Sequence, residues 1–293
     1  MTEAGAPAPA ADQDSATAGP GADHDTVAAP TGPGGSARFP LWRRSVRWVV
    51  AGAVFLGLGA GTAYGITSAP RDRVPGLATR SDGRWDFPAL SLPALPARVP
   101  RPFPDGRFTS DNRGEIHFAD LRRLLVPAPS GVTADRSLNG GWTEPARFLG
   151  EYPAQNRDTL RQYLADDGLR HITARGWTAP DGTSLHVYLA QFQSAGNMLG
   201  FLQGHLGPGV SAGLELDGVT TTMQDGGWPG AVLISGTRTD VYRQIAPFSG
   251  THTRMAYIEA GDTLALIVEK HRGSDAPAVP FHQTVILQQQ LLG

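Results

Sequence analysis

The chain contains no cysteine. That excludes a disulfide framework, thiol catalysis and any cysteine-ligated zinc site. Of its 25 basic residues only Lys270 is a lysine, and the formal net charge is −2. This balance excludes a globally basic nucleic-acid binder. Aromatic residues make up 8% of the chain, and none precedes Phe39. Residues 1–37 are mostly Ala, Pro, Gly, Asp and Thr. Such a segment cannot bury enough apolar surface to offset its chain entropy, so it reads as a disordered, mildly acidic tail. What is abundant is glycine (37) and proline (24), with arginine in place of lysine. All of these have GC-rich codons, which describes a genome rather than a chemistry.

Charge is missing altogether from residues 48–67, Trp48 to Thr67. At roughly 1.5 Å of rise per residue, a helix of that length spans a hydrocarbon core of about 30 Å. The run is expected to be a single transmembrane helix. A basic juxtamembrane segment, 38–47, precedes it with Arg38, Arg43, Arg44 and Arg47, and Arg71, Arg73, Arg80 and Arg84 follow it. The two sides carry equal numbers, but Arg43–Arg47 lies closest to the run, which puts the N-terminus in the cytoplasm. Two other readings stay open: a signal-peptidase site near Thr67 and Ala69, and a twin-arginine export signal at Arg43-Arg44. All three place the C-terminal part outside the cytoplasm, at the cell membrane. Ala53, Gly57, Gly61 and Gly65 recur every four residues and line one helix face. Small residues at that spacing let two backbones approach, so a homodimer through this face is expected.

Residues 68–105 hold eight prolines. Proline fixes φ and removes a backbone donor, which forbids a continuous helix or central strand. The segment reads as an extended stalk, with a reach on the order of 100 Å at polyproline rise. From residue 106 the periodic apolar residues return, and 106–293 is long enough to bury a single-domain core. Phe118, Leu121, Leu124 and Leu125 share a helical face stopped by Pro127. Leu160, Tyr163 and Leu164 mark a second helix ending near Gly168. His171–Trp177 and Thr183–Phe192 read as strands joined by the turn Ala179-Pro180-Asp181-Gly182. Ser194 is a candidate cap for a short helix burying Met198, Leu199 and Leu202. Strands are expected at 214–223, 230–236 and 239–245. A hairpin, Thr253–Ile258 and Thr263–Lys270, turns at Ala260-Gly261-Asp262. A helix from Phe281 to Leu292 opens at Pro280. The sum is an α+β domain: a mostly antiparallel sheet with a few packed helices.

The chemical motifs are weak. Gly209-Val210-Ser211-Ala212-Gly213 fits G-x-S-x-G, but a nucleophile elbow needs a strand before it and a helix after it, and here Gly207-Pro208 precedes and a strand-like run follows. His252, His271 and His282 have no zinc spacing. Glu259, Asp262 and Glu269 read as a solvated acidic face rather than a paired-carboxylate site. Trp142, Trp177 and Trp228 each follow a glycine. An exposed Gly-Trp pair can stack on a sugar or peptide ring, whereas a buried one anchors a core. No catalytic residue, cofactor or metal ligand is assigned.

The runs DLRRLLVPAPSG (120–131), GLRHITARGWTAPDGT (168–183), LAQFQSAGNML (189–199), AGDTLAL (260–266) and VPFHQTVILQQQLL (279–292) resemble an uncharacterised streptomycete and actinobacterial family of single-pass membrane proteins. The resemblance covers about 106–293 and implies a disordered tail, one spanning helix, a Pro-rich stalk and an extracytoplasmic α+β domain. More distantly the arrangement resembles actinobacterial lipoproteins and kinase-type sensor ectodomains. The function expected is an extracytoplasmic binding or sensor-like module of the cell envelope, partnered by the membrane and by an envelope component or protein. The alternatives are an envelope hydrolase and a structural stalked spacer.

Overall fold

The computed structural model describes residues 83–293, apart from 101, 103–109, 231–233, 249 and 274, together with Gly57 and Tyr64. The chain divides into two units, Met1–Val74 and Pro75–Gly293. In the first unit only Gly57 and Tyr64 are described, and both are helical and exposed. The rest of the expected transmembrane run, including Ala53, Gly61 and Gly65, lies outside the described residues. Among the described residues no helix is long and apolar enough to cross a membrane.

The second unit is built on one seven-stranded sheet in the order β1-β2-β3-β7-β6-β5-β4. The strands are β1 (Thr133–Thr143), β2 (Leu169–Thr178), β3 (Ser184–Phe192), β4 (Thr222–Gln224), β5 (Thr237–Gln244), β6 (Thr251–Ala260) and β7 (Thr263–Arg272). Every pairing is antiparallel. The helices are α1 (Pro145–Leu149), α2 (Arg157–Asp166), α3 (Ala195–Phe201, continued by a π turn at Leu202–Leu206) and α4 (Ala278–Leu292). The fold is therefore α+β, as the residue pattern implies.

Alternation along the strands splits the core in two. Ile172, Tyr188, Leu266, Met255 and Tyr257 face one way and bury Phe148, Leu160, Leu164 and Phe201 of α1–α3. Val187, Leu189, Ile267, Ala256 and Ile258 face the other way and meet Phe281, Val285 and Leu292 of α4, with Leu121–Val126 alongside. Because both faces of the central hairpin β6–β7 are covered, two of its three acidic residues are shut off from solvent. The expectation of an exposed acidic face fails at Asp262 and Glu269, which are fully buried.

Other differences have local causes. Leu121–Arg123 forms only a single 3₁₀ turn, capped by the Asp120 carboxylate on the Arg122 N–H, and Phe118 is exposed rather than on a buried helix face. Strand β1 has no clear apolar alternation and escapes sequence reading. Residues 214–221, expected as strand, are loop, and the strand there is only Thr222–Gln224. Ser194 does cap α3, accepting from the Asn197 N–H, yet Leu199 is exposed. The stalk expected over 68–105 does not run free throughout. Trp85, Phe87 and Leu90 pack against the core, with the Trp85 ring 6.0 Å from that of Trp177.

The Gln-rich last helix holds these irregular segments. Gln283 accepts from the Trp85 N–H (2.8 Å) and donates to the Trp85 carbonyl (2.9 Å). Gln288, fully buried, accepts from Val126 N–H and donates to Leu124 O, both at 2.9 Å. Each amide supplies the donor and acceptor that a neighbouring strand would otherwise give. Gln288→Leu strips both partners from a buried backbone, so a loss of about 2–4 kcal/mol is expected. Urea unfolding of the full chain measures it, and a change under 1 kcal/mol would refute this role.

Candidate functional site: an aromatic and arginine groove at the β1–β2 end of the sheet

The structure separates the three Gly-Trp pairs. Trp177 is fully buried under Trp85 and Phe87. Trp228 is half-buried with its ring edge-on to His282. Trp142 is 47% exposed.

Trp142 owes its position to an irregularity of β1. Asn139 pairs with Arg175 and Trp142 with Thr173, so three steps on β1 match two on β2. In a regular strand residues three apart lie on opposite faces. The inserted residue brings Trp142 onto the face of Thr173 and His171. Gly140 makes this possible. Its φ is +89°, and a β-carbon there would lie 2.2 Å from an Arg175 guanidinium nitrogen. The Thr173 hydroxyl closes the bulge by donating to the Gly141 carbonyl at 2.8 Å.

A second bulge lies beside the first. Leu169 pairs with Phe192 and His171 with Gln191, so Arg170 is the extra residue of β2. The two bulges aim Trp142 and Arg170 into the same place. Two adjoining clefts, of about 540 and 440 Å³, share Trp142, Arg170 and His171 as lining. The first is closed by Phe118, 42% exposed, and Gln191. A third, of about 400 Å³, continues from Phe118 between residues 92–95 and the end of α4.

Two side chains restrain the platform. The His171 ring lies 4.2 Å from Trp142, tilted by 59°. Burial lowers the His171 pKa, which favours the neutral ring. The Arg122 guanidinium sits 5.0 Å from the Trp142 ring centroid, a cation–π contact. Asp120 holds that guanidinium through two bonds, at 3.0 and 2.7 Å. Arg170 is exposed and has no acidic partner among the described residues.

The wall carrying Phe118 is fixed from below. His117 is buried, its Nδ1 2.8 Å from Asp262 Oδ1 and its Nε2 3.0 Å from the Leu292 carbonyl. Gln191 donates to both Asp262 Oδ2 (2.8 Å) and the His117 carbonyl (3.0 Å). Asp262 thus ties the β6–β7 turn to the groove wall.

The other nominated residues do not gather. Ser211 lies in a loop, its hydroxyl accepting from Gly213 N–H at 3.4 Å, with no histidine partner among the described residues. His252 and His271 are cross-strand neighbours, but His252 is taken up by Gln244 O and Ala276 N–H, His271 by Thr183, and His282 by Asp225. Among the described residues no three His, Asp or Glu side chains could hold a metal ion. Glu259 sits near Arg238, at 3.8 Å. Glu269 has no hydrogen-bond partner for either oxygen, and burial pushes its carboxyl well up.

Sequence reading missed one cluster entirely. Glu151, buried just beyond α1, accepts from His186 Nδ1 (2.6 Å), the Tyr188 hydroxyl (2.9 Å) and Lys270 Nζ (2.9 Å). Burial alone would raise its pKa. The His186 bond and the Lys270 charge outweigh that and bring the carboxyl down to about 2. Its partners come from two distant strands, β3 and β7, so no spacing announced it. No cleft among those described is lined by it, and it reads as a clasp between α1 and the sheet.

No family model matches the chain, and no curated protein matches it. Among solved structures it is similar to the extracellular domain of PknH from Mycobacterium tuberculosis. That match is 12% identical, with a TM-score of 0.29, and covers 55% of this chain and 80% of that one.

Proposed function

We propose that this chain is a single-pass, membrane-anchored binding or sensor-like module of the cell envelope, and that the Trp142 groove is its binding face. The observation that carries this is the pair of adjacent bulges that turn Trp142 and Arg170 out of the regular sheet into one groove. Bulges cost ladder hydrogen bonds and are over-represented where a strand must re-aim a side chain at a ligand. An exposed Trp beside a cation at a concave surface is a common recognition platform. The uncharged run 48–67 behind an arginine cluster supports the membrane anchor and the external position of the domain, and the resemblance to single-pass actinobacterial proteins points the same way.

Cosedimentation with isolated, insoluble cell-wall material tests this reading, using the full chain in detergent. The wild type is expected in the pellet. Trp142→Ala should cut the retained fraction about tenfold, the effect of losing roughly 1.4 kcal/mol of contact, while Trp228→Ala leaves it unchanged. Equal retention of all three proteins would sink the assignment of the groove.

A further inference from the structure

We infer that the groove takes an acidic saccharide, with a sugar ring laid against Trp142 and its anionic group on Arg170. The inference rests on the reading of this groove as the binding face and adds the ligand's chemistry to it.

Three observations converge. First, the platform suits a pyranose. Trp142 is 47% exposed, and its contacts with His171 at 4.2 Å and Arg122 at 5.0 Å restrain the ring, so it loses little freedom when a ligand arrives. The two clefts that share it as lining, about 540 and 440 Å³, leave room for more than one ring.

Second, the charge is positive at one point. Asp120 lines the first cleft, but both of its oxygens are taken by Arg122. Arg170, at the junction of the two clefts, has no acidic partner among the described residues. Glu144 and Arg161 line the second cleft, and Arg161 is paired with Asp158, so Arg170 is the lining cation left for an anion. A guanidinium without a partner gains most from a carboxylate or similar oxyanion that accepts two of its N–H groups.

Third, the neighbouring edge argues against a peptide. An extended peptide binds a sheet by adding a strand to a free edge. Here that edge is β1, whose register shifts between Ala134 and Asn139 and again between Asn139 and Trp142. A ladder broken twice cannot template a continuous strand. Ring stacking with one charge contact requires no ladder.

The experiment uses the full chain in detergent at low salt and three probes: an oligomer of galacturonic acid, an uncharged chitin oligomer of equal length, and poly-glutamate. Calorimetry is expected to show the acidic oligomer bound about tenfold more tightly than the neutral one, and poly-glutamate not bound. Trp142→Ala should weaken both saccharides about tenfold. Arg170→Gln, an exposed change, should erase the preference for the acidic oligomer. A preference that survives Arg170→Gln overturns the inference, as does poly-glutamate binding equal to the acidic oligomer. If neither saccharide binds while cell-wall retention still depends on Trp142, the ligand class is wrong and the binding face stands. If retention is also indifferent to Trp142, both fall.

Discussion

Glu151→Ala is expected to destabilise the chain by about 3–5 kcal/mol at pH 7, the usual cost of removing one member of a buried charge cluster. The carboxyl answers three groups, and its loss leaves the Lys270 ammonium, His186 and the Tyr188 hydroxyl without their shared acceptor. The same residue sets an acid limb. Its pKa in the fold, about 2, lies below the ordinary 4.5, so the folded state binds this proton less readily than the unfolded state. The stabilisation is complete above pH 4.5 and disappears as pH falls towards 2. Integrated over that window it amounts to roughly 3 kcal/mol. Denaturant titrations at pH 7, 4 and 2.5 should show the gap between wild type and variant narrowing. A gap that stays constant down to pH 2.5 would refute the linkage.

Glu269 should behave in the opposite sense. Its carboxyl is fully buried, lacks any hydrogen-bond partner and titrates well above 4.5. Arg254 lies opposite it on β6 but bonds Asp225 and the Ala276 carbonyl instead. The unfolded chain loses this proton near 4.5 while the folded chain keeps it. Stability is therefore greatest below pH 4.5 and falls as pH rises towards the folded value, by about 1.4 kcal/mol per unit. Glu269→Met keeps the length and removes the charge. At pH 7 it should raise both stability and melting temperature, because the variant no longer has to keep a carboxyl protonated in the fold. At pH 4 the two proteins should melt together. An unchanged or lower melting point at pH 7 would show that the Glu269 carboxylate is accommodated in the fold.

The regular parts of the fold are legible from local chemistry. Ala179-Pro180-Asp181-Gly182 turns as it reads, with Gly182 N–H on Ala179 O and Thr183 N–H on the Asp181 carboxylate. The β6–β7 hairpin and the last helix also lie where their periodicity puts them. Strand β1 does not read, because TADRSLNGGWT has no apolar period of two. Its conformation comes from pairing with β2, a non-local effect that overrides weak propensity. The groove is half legible. Trp142 stands out as a Gly-Trp pair, but nothing local distinguishes it from Trp177, and the distinction is made by Trp85 and Phe87 covering one and a bulge exposing the other. Arg170 is invisible as a site residue, since its role depends on register, and register depends on three strands at once. Glu269 shows the limit of charge as a guide. An acidic residue in a strand suggests water until the position of that strand in the sheet is known.

Strand β2 also has a mechanical meaning. Its Trp177 end takes the docked Trp85, and its Arg170 end lines the groove. Seven residues separate the two, about 23 Å of extended backbone at strand rise. The Trp85 backbone is bonded to Gln283 of α4 and its ring lies against Trp177 of β2. The docked segment at Trp85 and the groove thus lie at opposite ends of one strand, flanked by β1 and β3. Under the proposed anchoring and binding, a load between the two ends would pass lengthwise through β2, the direction in which a hydrogen-bonded strand resists by shearing all its bonds together rather than opening them one at a time.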